Sequence, residues 1–390
     1  MIQLHNSLPF SDSLFYWFIL ISVIGIYLIK LAINTPKTYK IGISIITFIY
    51  LFLLFPKPFH ILSFILFGFL TFKYIGQKFK IKGFKSILIY IIPLFLMKFL
   101  NVIPDSFEEF NLAKYIFQIA GLSYATFKMV QVHIDESETE NVDFLTYFTF
   151  IGFPPTLLIG PIDRYNRFSQ NFNLGFLNIN YDNLTKGLNY ILRGLVYKYI
   201  FAYAIMRLII EHLDHFSGIS YHFYYMYSYI FYLFFDFAGY SLLAMGSGYL
   251  LGIEVPFNFN KPFIAQNPKD FWYRWHKTLG DWLNDYFFKP IFKELTSKKI
   301  LTPIKRQSIA LLLTFTLMGF WNGFEIHFIL SGFLFGIYSM THNYYVYQCR
   351  KHGKDVIFGN LKAKYVKFIS ILILFHFVAF SIYIFSGKLI

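Results

Sequence analysis

The chain has 390 residues, of which 56% are hydrophobic, 23% are aromatic and only 14% are charged. A water-soluble domain of this composition would expose very large apolar patches, so the soluble class is excluded. The charged residues cluster between long apolar runs, which is typical of an all-α polytopic membrane protein. We expect a single membrane-embedded domain over residues 1–390.

The formal net charge is +14. Two explanations fit this excess: orientation in the membrane by the positive-inside rule, and attraction to an acidic partner such as a carrier protein or a polyphosphate polymer. The single cysteine, Cys349, excludes an intramolecular disulfide framework and any cysteine-based metal site. The first apolar run lacks a basic n-region and a small-residue cleavage site, so we expect a retained helix there.

Hydropathy predicts about eleven membrane spans, several of them short enough to be re-entrant or tilted. The apolar runs lie at 14–33, 41–55, 59–75, 86–100, 115–131, 144–160, 187–210, 221–246, 307–322, 324–347 and 365–385. Lysines follow the first and the third of these runs, which places the N-terminus outside and the loop at 73–85 in the cytoplasm.

The pattern changes between residues 247 and 306. Turn-forming residues lead into an amphipathic stretch with lysines on one side and aromatic residues on the other. This pattern favours interfacial or re-entrant helices over a span, arranged around a central funnel, because irregular backbone at membrane depth requires protein or a water-filled cavity around it.

The densest set of polar groups lies at 271–290, in the sequence FWYRWHKTLGDWLNDYFFKP. Buried polar groups are costly unless they are partnered or used. His276 lies in a helical pattern here and has two interpretations. It is a structural histidine within an interfacial helix, or it is a general base or the residue that orients one.

Asp236 lies in the middle of the apolar run YIFYLFFDFAGYSLLAM, where a carboxylate needs a partner. Tyr240 and Ser241 follow closely and are candidates for the same network. A structural polar network and a direct catalytic role are both open.

Charged residues also follow the span at 144–160, in the sequence GPIDRYNRF. Asp163, Arg164 and Arg167 have two interpretations: a helix stop with interfacial charges, or a binding edge for an anionic substrate.

The sequence MGFWNGFEIHF at 318–328 places Asn322 at a predicted helix break. An asparagine amide can hold a carbonyl or an oxyanion, but it cannot take up a proton near neutral pH and so cannot be a general base. On helical geometry Glu325 shares a face with Asn322, whereas His327 is rotated away.

Together these segments resemble the membrane-bound O-acyltransferase superfamily. The run FFDFAGYSLLAMGSGYLLGIEVPFNFNKPF, followed by FWYRWHKTLGDWLNDYFF, is similar to the central signature of the family. VQVHID at 130–135, GPIDRYNRF and the ending IFSGKLI resemble the branch that acts in teichoic-acid D-alanylation. The alginate-acetylating branch is similar in the core. The resemblance covers the chain from about residue 85 to its end.

The resemblance implies a funnel-shaped multi-helix fold in the cell membrane with a pore that joins the two membrane faces. It implies transfer of an acyl group, D-alanyl in this branch, from a phosphopantetheine thioester on a small acidic carrier protein to a hydroxyl of an extracellular polymer such as teichoic acid. No tightly bound cofactor, metal or nucleic acid is implied. The stretch at 285–299 would match the carrier-docking surface, with Tyr286, Phe288, Lys289, Phe292 and Lys293 as contact residues.

The family has one histidine in an RWH motif, matched here by His276, and one in a WHG motif that is usually taken as catalytic. The second motif reads Trp321-Asn322-Gly323 in this chain. An inactivating substitution is one explanation, which would leave a non-catalytic protein that binds carrier or polymer. A lineage in which His276 or Glu325 serves as base is another. O-acetylation of a different exopolysaccharide is a further alternative.

Overall fold

The structure is a computed structural model that describes residues 8–32, 35–79, 84–103, 114, 120–137, 142–299, 301–354 and 363–389. Within these residues the backbone forms helices, turns and loops without a β-strand, which confirms the all-α expectation. Helices satisfy their backbone hydrogen bonds internally, as the bilayer requires.

Five helices of the described chain are long and apolar enough to cross a membrane. They are Ser13–Ala32, Pro36–Leu54, Pro58–Lys78, Gly218–Leu250 and Tyr365–Phe385, and a shorter apolar helix covers Ile87–Leu100. The other predicted spans form helices that are shorter or less apolar, and part of the predicted span at 115–131 lies outside the described residues. The number of about eleven spans therefore stays a prediction.

The chain divides into two compact units. Unit 1 comprises Met1–Tyr197 and Phe237–Phe257, and unit 2 comprises Lys198–Asp236 and Asn258–Ile390. The expectation of one domain over the whole chain stays a prediction.

Unit 1 contains eight of the described helices. They are α1 (Ser13–Ala32), α2 (Pro36–Ile49), α3 (Pro58–Thr71), α4 (Phe84–Val102), α5 (Leu122–Asp135), α6 (Phe144–Gly152), α7 (Tyr165–Asn178) and α8 (Tyr181–Leu195). Helices α2 and α3 each continue into a π-helical turn. Helix α2 packs against α1, α6 and α7, and α5 packs against α4 and α6.

Helix α6 ends at Gly152, although the sequence predicts a span over 144–160. Two prolines follow from Pro154 onwards, and proline lacks the backbone donor that would continue the helix. The buried Lys128 on α5 satisfies this end, because its Nζ donates to the carbonyl oxygen of Phe150 at 2.9 Å. A helix end leaves such carbonyls without an intrahelical donor.

Unit 2 contains α9 (Tyr203–Leu208), the first part of α10 (Gly218–Leu250), α11 (Pro268–Arg274), α12 (Lys277–Leu283), α13 (Lys289–Ser297), α14 (Pro303–Asn322), α15 (Ile326–Lys351) and α16 (Ala363–Phe385). Helices α14 and α15 form an antiparallel hairpin that packs closely along its length. A Cβ added to Gly332 would lie only 2.9 Å from the backbone nitrogen of Gly319. Glycine at this interface therefore permits the close approach of the two backbones.

Candidate active site

His276 lies at a break between two short helices and not within a continuous helix, so the expected helical pattern is wrong at this point. Its backbone is in the left-handed conformation, with φ at 44°. The amide of Lys277 donates to the carbonyl oxygen of Asn258, and the amide of Asn260 donates to that of Arg274, both at 2.9 Å. These bonds to an earlier loop take the place of helical bonds across the break.

The side chain of Asn258 holds the His276 ring. Its Oδ1 atom lies 3.0 Å from Nδ1 of His276, 2.9 Å from Oγ1 of Thr278 and 3.3 Å from the backbone nitrogen of Thr278. A backbone N–H can only donate, so the shared atom is the amide oxygen. It follows that Nδ1 of His276 carries the proton and Nε2 carries the lone pair.

The His276 ring is neutral in this environment. The residue is only 7% exposed, and burial lowers its pKa to about 3. A neutral imidazole with its lone pair on Nε2 can accept a hydrogen bond from a hydroxyl group and assist the departure of its proton.

Two tryptophans link the His276 segment to the Asn322 segment. Trp282 is buried on α12, and its ring centroid lies 6.3 Å from that of Trp321 at the end of α14. Trp321 directly precedes Asn322. The two polar stretches singled out in the sequence therefore belong to one packed region of unit 2.

Helix α14 ends at Asn322, whose Nδ2 donates to the carbonyl oxygen of Met318 at 2.9 Å. Gly323 is fully extended, and α15 begins only after Glu325. The expectation that Asn322 and Glu325 share a helical face is therefore wrong, because the extended Gly323 interrupts the helix. Both side chains are exposed, while the ring of His327 packs beside Gly387.

Asp236 forms an ion pair with Lys198, at 2.5 Å between Oδ1 and Nζ. Both residues belong to unit 2, whereas Tyr240 and Ser241, the partners suggested by the sequence, lie in the part of α10 that belongs to unit 1. Ser241 is buried. The polar network at Asp236 thus has a cation that the sequence interpretation did not include.

Asp163 is buried in unit 1 and is held by arginine. Its carboxylate accepts from Nε and Nη2 of Arg167 at 2.7 and 3.0 Å and from the backbone nitrogen of Arg164 at 2.7 Å. Arg167 also donates to the carbonyl oxygen of Glu254. Burial raises the pKa of Asp163, and the Arg167 guanidinium opposes that shift. These contacts favour a structural role for Asp163 and Arg167, and the binding edge for an anionic substrate stays a prediction.

The stretch assigned to carrier docking has one buried and one exposed side. Tyr286 is only 3% exposed and packs against Trp282, so its ring is not available to a partner. Phe288 and Phe292 are half-buried and stack on each other at 6.0 Å. Both lysines named as contact residues are exposed, and Lys289 pairs with Asp285.

Within the residues that the structure describes, no three His, Cys, Asp or Glu side chains are placed together to hold a metal ion. The polar groups around His276 are instead joined to one another by hydrogen bonds.

Sequence reasoning missed Asn258 and Lys198. Asn258 is fully buried within the apolar run VPFNFNKPF, and a polar residue in such a run was the available signal. Lys198 lies in the predicted span at 187–210, where an isolated lysine indicates a partner inside the protein.

Comparison with known proteins places this site in a family. The membrane-bound O-acyltransferase (MBOAT) family matches residues 83–384. The teichoic acid D-alanyltransferase of Bacillus subtilis (strain 168) is 35% identical over 97% of this chain and 98% of its own length. That of Streptococcus thermophilus is 30% identical over 76% of this chain and 75% of its own length. The peptidoglycan O-acetyltransferase of Helicobacter pylori is 33% identical over 53% of this chain and 39% of its own length. The resemblance drawn from the sequence is thereby confirmed, and the chain belongs to the membrane-bound O-acyltransferase family as an O-acyltransferase of the membrane.

Proposed function

We propose that the chain transfers D-alanine from the phosphopantetheine thioester of a small acidic carrier protein to a hydroxyl of an extracellular envelope polymer such as teichoic acid. The similarity to the Bacillus subtilis teichoic acid D-alanyltransferase, over almost the full length of both chains, carries this proposal. The neutral, oriented imidazole of His276 supports it, because its Nε2 lone pair can accept a hydrogen bond from the attacking hydroxyl group and orient it.

The reaction is a direct displacement. The hydroxyl oxygen of the polymer attacks the thioester carbonyl carbon, a C–O bond forms and the C–S bond breaks. The hydroxyl proton ends on the departing sulfur, so the reaction consumes no net proton. His276 would accept the hydroxyl proton, or orient the hydroxyl, through Nε2. Asn322 cannot take up the proton, but its amide can donate to the oxyanion that develops on the carbonyl.

The acidic carrier would dock on the surface formed by Phe288, Lys289, Phe292 and Lys293. Lysines on this surface complement an acidic partner, and the two stacked phenylalanines offer an apolar contact beside them. The net charge of +14 supports attraction over a longer range.

Two alternatives rest on specific observations. Asn322 in place of the family's WHG histidine favours a non-catalytic protein that binds carrier or polymer. The similarity to the peptidoglycan O-acetyltransferase of Helicobacter pylori favours O-acetylation of another polymer.

The test uses the full chain reconstituted in lipid bilayers, with radiolabelled D-alanine loaded on the carrier and purified teichoic acid as acceptor. We expect label in the polymer that depends on the chain, and no label when the carrier is loaded with acetate. Preferential transfer of acetate would establish the acetylation alternative. Carrier binding without transfer of either group, in the unmodified chain and in Asn322→His, would contradict the proposed function and establish the binding alternative.

A further inference from the structure

One face of α10 carries a file of tyrosines within unit 2. Tyr221, Tyr225, Tyr229, Tyr232 and Asp236 are three or four residues apart, which places them within about 80° of one another around the helix. Successive tyrosine rings touch, with centroids 5.9, 5.5 and 5.9 Å apart along the file. The file is therefore a continuous row of phenol groups along one face of a 33-residue helix.

The C-terminal end of α16 packs against the N-terminal part of the file. The ring of Tyr225 lies 5.8 Å from that of Tyr383, whose hydroxyl bonds to Nδ1 of His222. Tyr225 and Tyr383 are buried, so this part of the file is packed protein.

The C-terminal part of the file, from Tyr229 to Asp236, is partly exposed. Asp236 lies near the middle of α10, and the side chains of Lys198 and Asp236 are 21% and 38% exposed although they pair with each other. An ion pair against lipid in the middle of a spanning helix would be costly, so its exposed side faces water or a polar ligand. Tyr229 and Tyr232 are half-buried on the same face of α10.

The chemistry of these partly exposed side chains favours hydroxyl groups as ligands. The Lys198–Asp236 pair is neutral overall, so it offers no net charge to bind a phosphate group. Phenols and a carboxylate exchange hydrogen bonds with hydroxyl groups, and tyrosine rings pack against the C–H groups of a polyol or sugar.

We propose that Tyr229, Tyr232 and Asp236 bind the hydroxyl-bearing units of the acceptor polymer. The identity of this ligand as the acceptor rests on the proposed function. The face binds the polyol or sugar part of the polymer, because the paired Lys198 and Asp236 offer no net charge to its phosphates.

The test is a binding measurement that does not depend on turnover. The probe is a short glycerol phosphate oligomer, added to the full chain in lipid nanodiscs. Tyr229→Phe and Tyr232→Phe each remove one hydroxyl group, and we expect each to raise the Kd by about 2- to 10-fold. The matched control is Tyr227→Phe, because Tyr227 packs on Phe375 and His376 at a different face of α10, and we expect its Kd to equal that of the unmodified chain.

Two results would overturn this proposal. One is a Kd that is equal for Tyr229→Phe, Tyr232→Phe and Tyr227→Phe, with all three variants folded by size-exclusion chromatography. The other is displacement of the oligomer by inorganic polyphosphate but not by glycerol, which would place recognition on phosphate. A third result separates the two proposals. If the Tyr229→Phe and Tyr232→Phe variants bind the oligomer more weakly as expected, but the chain transfers no acyl group even with Asn322→His, the binding proposal stands and the proposed function is contradicted.

Discussion

The hydrogen bond between Nδ1 of His276 and Oδ1 of Asn258 joins the helix break to a loop eighteen residues earlier. The same oxygen accepts two bonds from Thr278. Because three donors converge on one oxygen, the amide fixes both the backbone of the break and the protonation of the ring.

Asn258→Ala removes this acceptor, and we expect it to lower acyl transfer towards the rate of His276→Ala. General acid–base assistance contributes about 10²–10⁴-fold, which is the upper limit of the loss. Thr278→Val is the control, since it removes one donor and leaves the bond to His276. Asn258→Asp keeps an acceptor but adds a negative charge, which raises the pKa of His276 and should move the acidic limb of the pH–rate profile upwards. Equal activity of Asn258→Ala and Thr278→Val would show that Asn258 does not act through His276.

Acidification should destabilise the protein through His276. Burial lowers its folded-state pKa to about 3, whereas an unfolded histidine has a pKa of about 6.5. Between these values the unfolded state binds more protons, so stability is complete above about pH 6.5 and falls as the pH decreases. The expected loss is about 2 kcal/mol between pH 6.5 and 5. Thermal unfolding in nanodiscs should show a smaller decrease of Tm with acid for His276→Gln, and parallel decreases in both proteins would contradict the argument.

The carrier-docking proposal predicts unequal effects of two lysines. Lys289 pairs with Asp285, whereas Lys293 has no ion-pair partner among the described residues. Lys293→Glu should therefore weaken carrier binding more than Lys289→Glu, and the double reversal should weaken it most. Added salt should weaken binding to the unmodified chain. Lys186→Glu, an equal change of net charge on the exposed part of α8, is the control in pull-down or titration experiments. Unchanged binding in the double variant would exclude this docking surface.

We expect substitutions of Lys198 and Asp236 to have coupled effects on the yield of folded protein, which a double-mutant cycle measures. Asp236→Asn keeps the size and most hydrogen bonds of the side chain, so the yield in detergent should fall far less than with Asp236→Leu. Lys198→Met leaves the carboxylate without its cation and should lower the yield, and adding Asp236→Asn should restore part of the loss. Equal folding of all single variants, together with lost activity, would assign Asp236 to catalysis.

The long apolar helices and the family signature could be predicted from the sequence, because apolar length and consecutive signature residues are local properties. The left-handed turn at His276 could not. It depends on bonds to Asn258 and Asn260, which lie before α11 in the sequence. The early end of α6 was indicated by Pro154, but the run of apolar residues around it suggested a longer span.

The partners of buried charges were equally hard to predict. Asp236 was recognised as a carboxylate in need of a partner, but Lys198 precedes it by 38 residues, and helical spacing pointed instead to Tyr240. The prediction that Asn322 and Glu325 share a helical face was wrong for another reason. Helical spacing was applied across Gly323, where the extended backbone ends one helix before the next begins.

The last prediction concerns Asn322, where the family pattern and the chemistry of the side chain disagree. If the imidazole of the family's WHG motif is the base, Asn322→His should raise acyl transfer by about 10²–10⁴-fold. The exposed side chain of Asn322 leaves space for the larger ring, and the surrounding Trp321 and Gly323 match the motif. His276→Ala should then lower transfer in the Asn322→His protein. Asn322→Gln is the matched control, because it enlarges the side chain without adding a base.

A different assignment of the base gives the opposite result. If His276 or Glu325 already accepts the proton, the unmodified chain should be active and Asn322→His should change its rate little. His276→Ala or Glu325→Gln should then abolish the activity that exists. We favour the first outcome, because burial makes His276 a weak base while Asn322 lies in an otherwise intact motif. Rapid turnover by the unmodified chain, unaffected by Asn322→His, would show that the proton acceptor is not at position 322.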